Sequence, residues 1–169
     1  MKKKFGKKHG FTILELMSAV VIIGIIAAIG IPTMDLAIKK IRFKADSNTI
    51  MSGLRLARSE AISHRIQYGV SFDTGSNQLA VFKDVSSPDL FTFDLADSVV
   101  FLDTLGRGVE NMTTTFDNNL VFFFPDGRAS MSGNINGTAS WSTDSLTSAS
   151  VNISVLAATG RIKVDSLTY

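Results

Sequence analysis

Cysteine is absent from the 169 residues. That excludes disulfides, cysteine metal sites, thiol nucleophiles and an acylated N-terminal cysteine, and it is compatible with an oxidising or a reducing compartment. The fold must then be held by its core and its neighbours. Histidine is nearly absent too, with two residues, His9 and His64. Beyond the first ten residues only His64 remains, so no histidine-pair metal site can form, and no carboxylate stands in an obvious place to orient it. A surface position on a helix accounts for it. The nucleophile elbow G-x-S-x-G, the zinc motif H-E-x-x-H and the phosphate loop G-x-x-x-x-G-K are all missing. Asp73 to Asn77 and Asp117 to Asn119 offer oxygen ligands, but neither has the alternating acidic pattern of a calcium loop, and turn chemistry explains both. The reading is therefore no enzyme, no cofactor and no metal.

Charge is unevenly placed. Residues 11–34 hold a single charged side chain, Glu15, among Ile, Ala, Leu, Val, Met and Gly. Residues 1–10 hold five lysines, Lys2, Lys3, Lys4, Lys7 and Lys8, and no acid. Without those ten residues the formal charge of +2 becomes −3, from 12 basic and 15 acidic residues. The basic pI belongs to the N-terminus, which disfavours a protein that coats nucleic acid over its whole surface.

Lysines ahead of an apolar run form the positive-inside signal and keep the N-terminus cytoplasmic. A secretory signal would have ~7–15 apolar residues and an A-x-A site. Here the run from Phe11 to Ile31 is 21 residues long and no such site follows. A plain transmembrane anchor fits by length, but it leaves Glu15 unexplained, because an acidic residue within a membrane helix costs a few kcal/mol at its centre and less near its end. Cleavage between Gly10 and Phe11 would create an α-amine four residues before Glu15. The amine of one subunit could then neutralise the carboxylate of the next while both are in lipid, and that need drives assembly.

Gly10-Phe11-Thr12-Ile13-Leu14-Glu15-Leu16 resembles the type IV prepilin cleavage and methylation motif, G-F-T-L-x-E, of type IV pilins and type II secretion pseudopilins. The resemblance implies that a prepilin peptidase cuts after Gly10 and N-methylates Phe11, and that Glu15 sets subunit register in a filament. Pro32 stands where that family commonly has a proline.

After Pro32, Met34, Ile38, Ile41 and Ala45 recur at helical spacing, followed by Ile50, Leu54, Ala57 and Ala61. The pattern predicts helix to about Arg65 or Gln67, kinked at Pro32. Residues 11–66 would span roughly 84 Å at ~1.5 Å per residue, the length of a spine. Beyond it the pattern is β-rich. Strands are predicted at 68–72, 79–82, 90–94, 98–102, 120–124, 127–131, 151–156 and 161–165. Turns are predicted at Asp73 to Asn77, Pro125-Asp126-Gly127 and Thr159-Gly160. The Ser/Thr/Gly/Asn-rich stretch 132–150 reads as a loop. Phe72, Phe82, Phe91, Phe93, Phe101, Phe122, Phe124 and Trp141 read mostly as core, although the run Phe122 to Phe124 must turn at least one ring outward or toward the helix. Arg55, Arg58 and Glu60 read as a solvated or subunit-facing side of the helix.

Leu54 to Ile62, L-R-L-A-R-S-E-A-I, resembles the L-x-x-A-R-S-E-A-I segment of the minor pseudopilin group called GspH/FimT. Val121 to Arg128 and the closing Thr159-Gly160-Arg161-Ile162-Lys163-Val164 are similar to that group's later strand turns. The resemblance implies a structural subunit of a type II secretion pseudopilus or a type IV pilus, with a helix followed by two packed antiparallel sheets.

The expected fold is α+β, a long N-terminal helix packed on an antiparallel β-sandwich head. Its parts are a cleaved leader (1–10), a transmembrane and filament-core helix (11–33), an amphipathic helix (34–67) and a periplasmic head (68–169). The expected partners are the prepilin peptidase, other pilins and the inner membrane. The alternative is a pilus-tip subunit that binds DNA, because Gly160-Arg161-Ile162-Lys163 is similar to a G-R-x-R motif of some pilus-branch members. Lysine lacks the fork of arginine, two cations hold DNA weakly, and Asp84, Asp89, Asp94, Asp97 and Asp103 make the head acidic. Arg161 and Lys163 on the solvent face of a strand, with Ile162 and Val164 inward, is the preferred reading.

Overall fold

The structure is a computed structural model that describes residues 10–85, 90–94, 97–105, 108–141 and 147–168, with no side-chain detail at 31–33, 36, 139–141 and 147. Most of the expected leader lies outside the described residues. The chain divides into two units, residues 1–38 and 39–169.

A single helix, α1 (Ile13–His64), crosses the boundary between the units. Its backbone is helical through Pro32. In the first unit the large described apolar side chains of α1 are exposed, including Met34 and Ile38. In the second unit α1 buries Phe43, Ile50, Leu54, Ala57 and Ala61, one stripe at helical spacing. The stripe predicted from Ile50 onward is therefore the buried one. The stripe predicted through Ile41 and Ala45 is not buried, and Ile41 is 67% exposed. At 100° per residue Ile41 and Ala45 fall on the side of α1 opposite Phe43 and Ile50.

The head is built from β1 (Tyr68–Asp73), β2 (Gln78–Lys83), β3 (Ser98–Thr104), β4 (Asn111–Thr114), β5 (Leu120–Phe123), β6 (Gly133–Trp141), β7 (Thr147–Leu156) and β8 (Arg161–Thr168). They form two antiparallel four-stranded sheets, ordered β3-β2-β1-β5 and β4-β6-β7-β8. One core joins them to the helix: Ile50, Leu54 and Ala57 of α1, Val70, Leu79, Val81 and Phe123 of the first sheet, and Ile135, Val151, Ile153 and Val155 of the second.

Several expectations are corrected. Residues 90–94 form no strand. Phe91 has φ 51° and its ring packs edge-on against Phe122 at 5.5 Å, while Phe93 lies 4.4 Å from Phe82. The alternating aromatics cover a sheet rather than join it, and Phe91 and Phe93 stay partly exposed. The strand predicted at 127–131 shrinks to a bridge between Phe123 and Ala129. Residues 133–141 form a paired strand rather than a loop, and the strand predicted at 151–156 begins earlier, at Thr147. The short strand β4 (Asn111–Thr114) was not foreseen. Within the aromatic run, Phe123 enters the main core, and Phe122 is buried on the other face of its sheet against Phe82, with the rings perpendicular at 5.7 Å. Gly69 pairs in register with both Phe82 and Phe122, and a Cβ there would lie 2.2 Å from the Phe82 ring, so glycine makes room for the aromatic pair. The Trp141 side chain lies outside the described residues.

Candidate functional site: the helix start and the joint to the head

Gly10 and Phe11 precede α1 in exposed, non-helical backbone. Thr12 caps the helix: its Oγ1 accepts a hydrogen bond from the Glu15 amide at 3.2 Å, and its carbonyl accepts the first helical bond, from the Leu16 amide, at 3.2 Å. Threonine followed three residues later by glutamate is the sequence form of a capping box, and an acid in the first turn also suits the helix dipole. Thr12 thus holds Glu15 in the first turn, one turn from the Gly10–Phe11 bond. The signal T-x-x-E was present in the sequence, and the capping role was missed. From Ile13 to Gly30 the helix is long and apolar enough to cross a membrane, and none of that 18-residue window is buried.

The second assembly of motif residues lies wholly in the head unit. Arg58 does not face solvent as expected. Its Nε donates to the Gly127 carbonyl and its Nη2 to the Thr159 carbonyl, each at 3.0 Å. The two turns also touch each other. Gly160, at φ +59°, comes so close that a Cβ would sit 2.0 Å from the Gly127 oxygen. The Ala129 amide donates to the Ala157 carbonyl at 3.0 Å. The A-R-S-E-A helix segment, the P-D-G-R turn and the T-G-R turn are therefore three views of one joint, with a guanidinium bonded to both turns. Farther along α1, buried Asp46 accepts hydrogen bonds from the amides of Gly108 and Val109 at 2.7 and 3.0 Å. A Cβ on Gly108 would lie 2.3 Å from the Phe43 backbone nitrogen, so that loop rests directly on the helix. Sequence reasoning missed Asp46, and a lone acid inside a helical apolar stripe was the available signal.

Residues 46–159 match the family described as type II transport protein GspH, and residues 6–31 match the prokaryotic N-terminal methylation motif. The chain belongs to the GspH family. No curated protein matches it by sequence. Its fold is similar to that of the type IV minor pilin FimU of Pseudomonas aeruginosa PAO1, at 16% identity over 73% of this chain and 88% of that one, with TM-score 0.56. It is also similar to the minor pseudopilin EpsH from the type 2 secretion system of Vibrio cholerae, at 13% identity over 73% and 95% of the two chains, with TM-score 0.50. Pilin and pseudopilin families of this kind are structural subunits.

The other sequence candidates are placed as follows in this GspH-family head. Arg161 and Lys163 are exposed on β8, and the alternating Ile162 and Val164 are half-buried against the core. Lys163 Nζ lies 3.0 Å from Asp165. Hydrogen bonding from Ser154, then from Lys163, holds the Asp165 carboxyl below the usual carboxylate range. His64 does have a carboxylate beside it, Glu60 at 3.0 Å one helical turn back. The Asp73 carboxylate is occupied by its own turn, accepting from the amides of Gly75 and Ser76.

Proposed function

We propose that this chain is a minor subunit of a type II secretion pseudopilus or a type IV pilus, made as a precursor and assembled through its N-terminal helix. Its leader keeps the N-terminus cytoplasmic, the helix crosses the inner membrane once, and the head lies in the periplasm. A prepilin peptidase cuts between Gly10 and Phe11 and methylates the Phe11 amine. That amine and the Glu15 carboxylate then pair between neighbouring subunits, and the apolar helices bundle as the subunit leaves the membrane.

The observation that carries the reading is Glu15, the single acid in the otherwise apolar, unburied stretch Ile13–Gly30, fixed by Thr12 in the first turn of the helix. The match to the methylation motif over residues 6–31 supports it. An acid in lipid needs a partner, and cleavage after Gly10 creates a cation beside it.

The test is Glu15→Gln in a cell that carries the matching secretion or pilus machinery. The neutral side chain enters a membrane at least as well as glutamate, so a plain anchor would be unharmed. Losing one partner of a desolvated charge pair costs about 2–5 kcal/mol, so incorporation into sheared filaments falls by tenfold or more, ~1.4 kcal/mol per tenfold. Undiminished incorporation would contradict the reading. Arg161 and Lys163 support no second reading, because Asp165 stands against Lys163 and offsets its charge.

A further inference from the structure

The head leaves one side of α1 uncovered at residues 40–45. Ile41 is 67% exposed, and Ala45 on the same side is exposed as well. Lys40, Arg42 and Lys44 fall within about 100° of Ile41 around the helix, whereas buried Phe43 lies opposite it. All three cations are exposed. Among the described residues none of the three makes an ion pair, although Asp103 lines the groove beside Arg42. Lys39 adds a fourth cation, with Asp35 one helical turn before it. An apolar side chain flanked by exposed cations on one helix face is the form taken by a helix that meets an anionic lipid surface.

Charge and chain position select the occupant. Residues 39–44 hold four basic residues and no acid, whereas residues 45–169 hold 8 basic and 13 acidic residues. The dense cluster of cations therefore sits in the part of the chain that follows the apolar window Ile13–Gly30. It begins nine residues after Gly30 and ends fourteen residues after it, inside the ~15–20 residues over which flanking Lys and Arg act at a membrane surface. We propose that Lys40, Arg42 and Lys44, with Lys39, bind the headgroup phosphates of anionic phospholipids in the leaflet on the head side, and that Ile41 sits among those headgroups. This inference rests on the reading that α1 crosses the membrane. Lysine and arginine reach phosphate with their tips while their methylene stems lie along apolar surface. Each added cation strengthens such a contact, which fades within a Debye length of the surface. The acidic remainder of the head is repelled by the same lipids, so binding is confined to this collar. Removal of Met1 to Gly10 takes away five lysines and leaves these four, so the mature chain keeps its basic contact on the head side. A nucleic acid would meet the same cations but offers nothing to Ile41.

The chain has no cysteine, so one introduced thiol reports one position. Full-length chain carrying Ile41→Cys is placed, one chain per disc, in nanodiscs of phosphatidylcholine alone or of phosphatidylcholine mixed with phosphatidylglycerol. The rate of its reaction with maleimide–polyethylene glycol, neutral and too large to enter lipid, is then measured. In the anionic discs the rate should fall by about fivefold or more, and ~1 M salt, which shortens screening to ~3 Å, should restore it. Adding Lys40→Gln, Arg42→Gln and Lys44→Gln together should restore it too, with circular dichroism native. Thr138→Cys, on β6, should react equally in both discs. An Ile41→Cys rate indifferent to lipid charge overturns the proposal. So does protection that appears only with two chains in a disc, which would give Ile41 to a neighbouring helix. Protection by duplex DNA but not by anionic lipid would assign the cations to nucleic acid and overturn it as well. Val21→Cys separates these failures from failure of the membrane reading. Its thiol should be unreactive in both discs, and a reactive one would mean that α1 does not cross the bilayer, overturning both.

Discussion

Arg58 and Gly127, 69 positions apart, are joined by a 3.0 Å hydrogen bond from guanidinium Nε to the backbone carbonyl. The second arm of the same guanidinium reaches Thr159, so one side chain of the helix closes on two turns of the head.

Removing that fork should loosen the joint. Hydrogen bonds from a charged donor contribute roughly 1.5–3 kcal/mol. Arg58→Ala should therefore cost about 2–3 kcal/mol in denaturant unfolding. Arg58→Lys should recover less than half, because a point charge cannot serve two carbonyls in a planar fork.

The two turn glycines should differ. Gly160 combines φ +59° with a 2.0 Å approach of its would-be Cβ to a backbone oxygen, which cannot move cheaply. Gly127 has φ +83°, but its nearest neighbour is the end of the Ile62 side chain at 3.1 Å. Gly160→Ala should destabilise by about 3 kcal/mol or more and Gly127→Ala by about 1–2 kcal/mol. Thermal melts of the two variants check the order.

Asp46 holds the 108–109 loop on the helix. Asp46→Ala leaves two buried amides without their acceptor and should cost about 2–4 kcal/mol. Asp46→Asn retains one acceptor oxygen and should cost about half as much. Amide exchange at Gly108 and Val109 should accelerate in both variants.

Acid should weaken the turns before it reaches the core. The Ser76 hydroxyl, with the Ser76 and Gly75 amides, lowers the Asp73 carboxyl, and the Arg128 amide and guanidinium lower that of Asp126. A depressed carboxylate stabilises the fold above its unfolded pKa of ~3.9, and that stabilisation is lost as pH falls through the folded value. Stability should change little through neutrality on account of these groups and decline below about pH 4. Asp73→Asn and Asp126→Asn should each shallow that decline in melts recorded against pH.

The N-terminal methylation motif was legible because it is written in consecutive residues, from Gly10-Phe11 through Glu15 into a long apolar run. The turns at 73–77, 125–127 and 159–160 were legible because Asp, Pro and Gly fix local backbone. What failed was tertiary. Leu90 to Asp94 alternates like a strand because its rings cover Phe82 and Phe122 from above. Residues 133–141 look like a loop because Gly, Asn, Ser and Thr dominate, yet only one face needs apolar residues and Ile135 supplies its fully buried contact. Gly137 lets Val151 and Val109 pack closely on the strand, since a Cβ would meet them at 3.0 and 3.3 Å, tighter than ordinary contact. Arg58 was misread because its partners lie 69 and 101 positions away. Local spacing cannot show such a contact, although the two glycine turns that receive it were both marked.

The most direct test of the account is the intact mass of the chain recovered from membranes of a cell containing its native prepilin peptidase. The account predicts a polypeptide lacking Met1 to Gly10 and carrying one methyl group on Phe11. A mass that retains Met1 to Gly10 under those conditions would contradict it and leave a β-rich head on a simple membrane anchor.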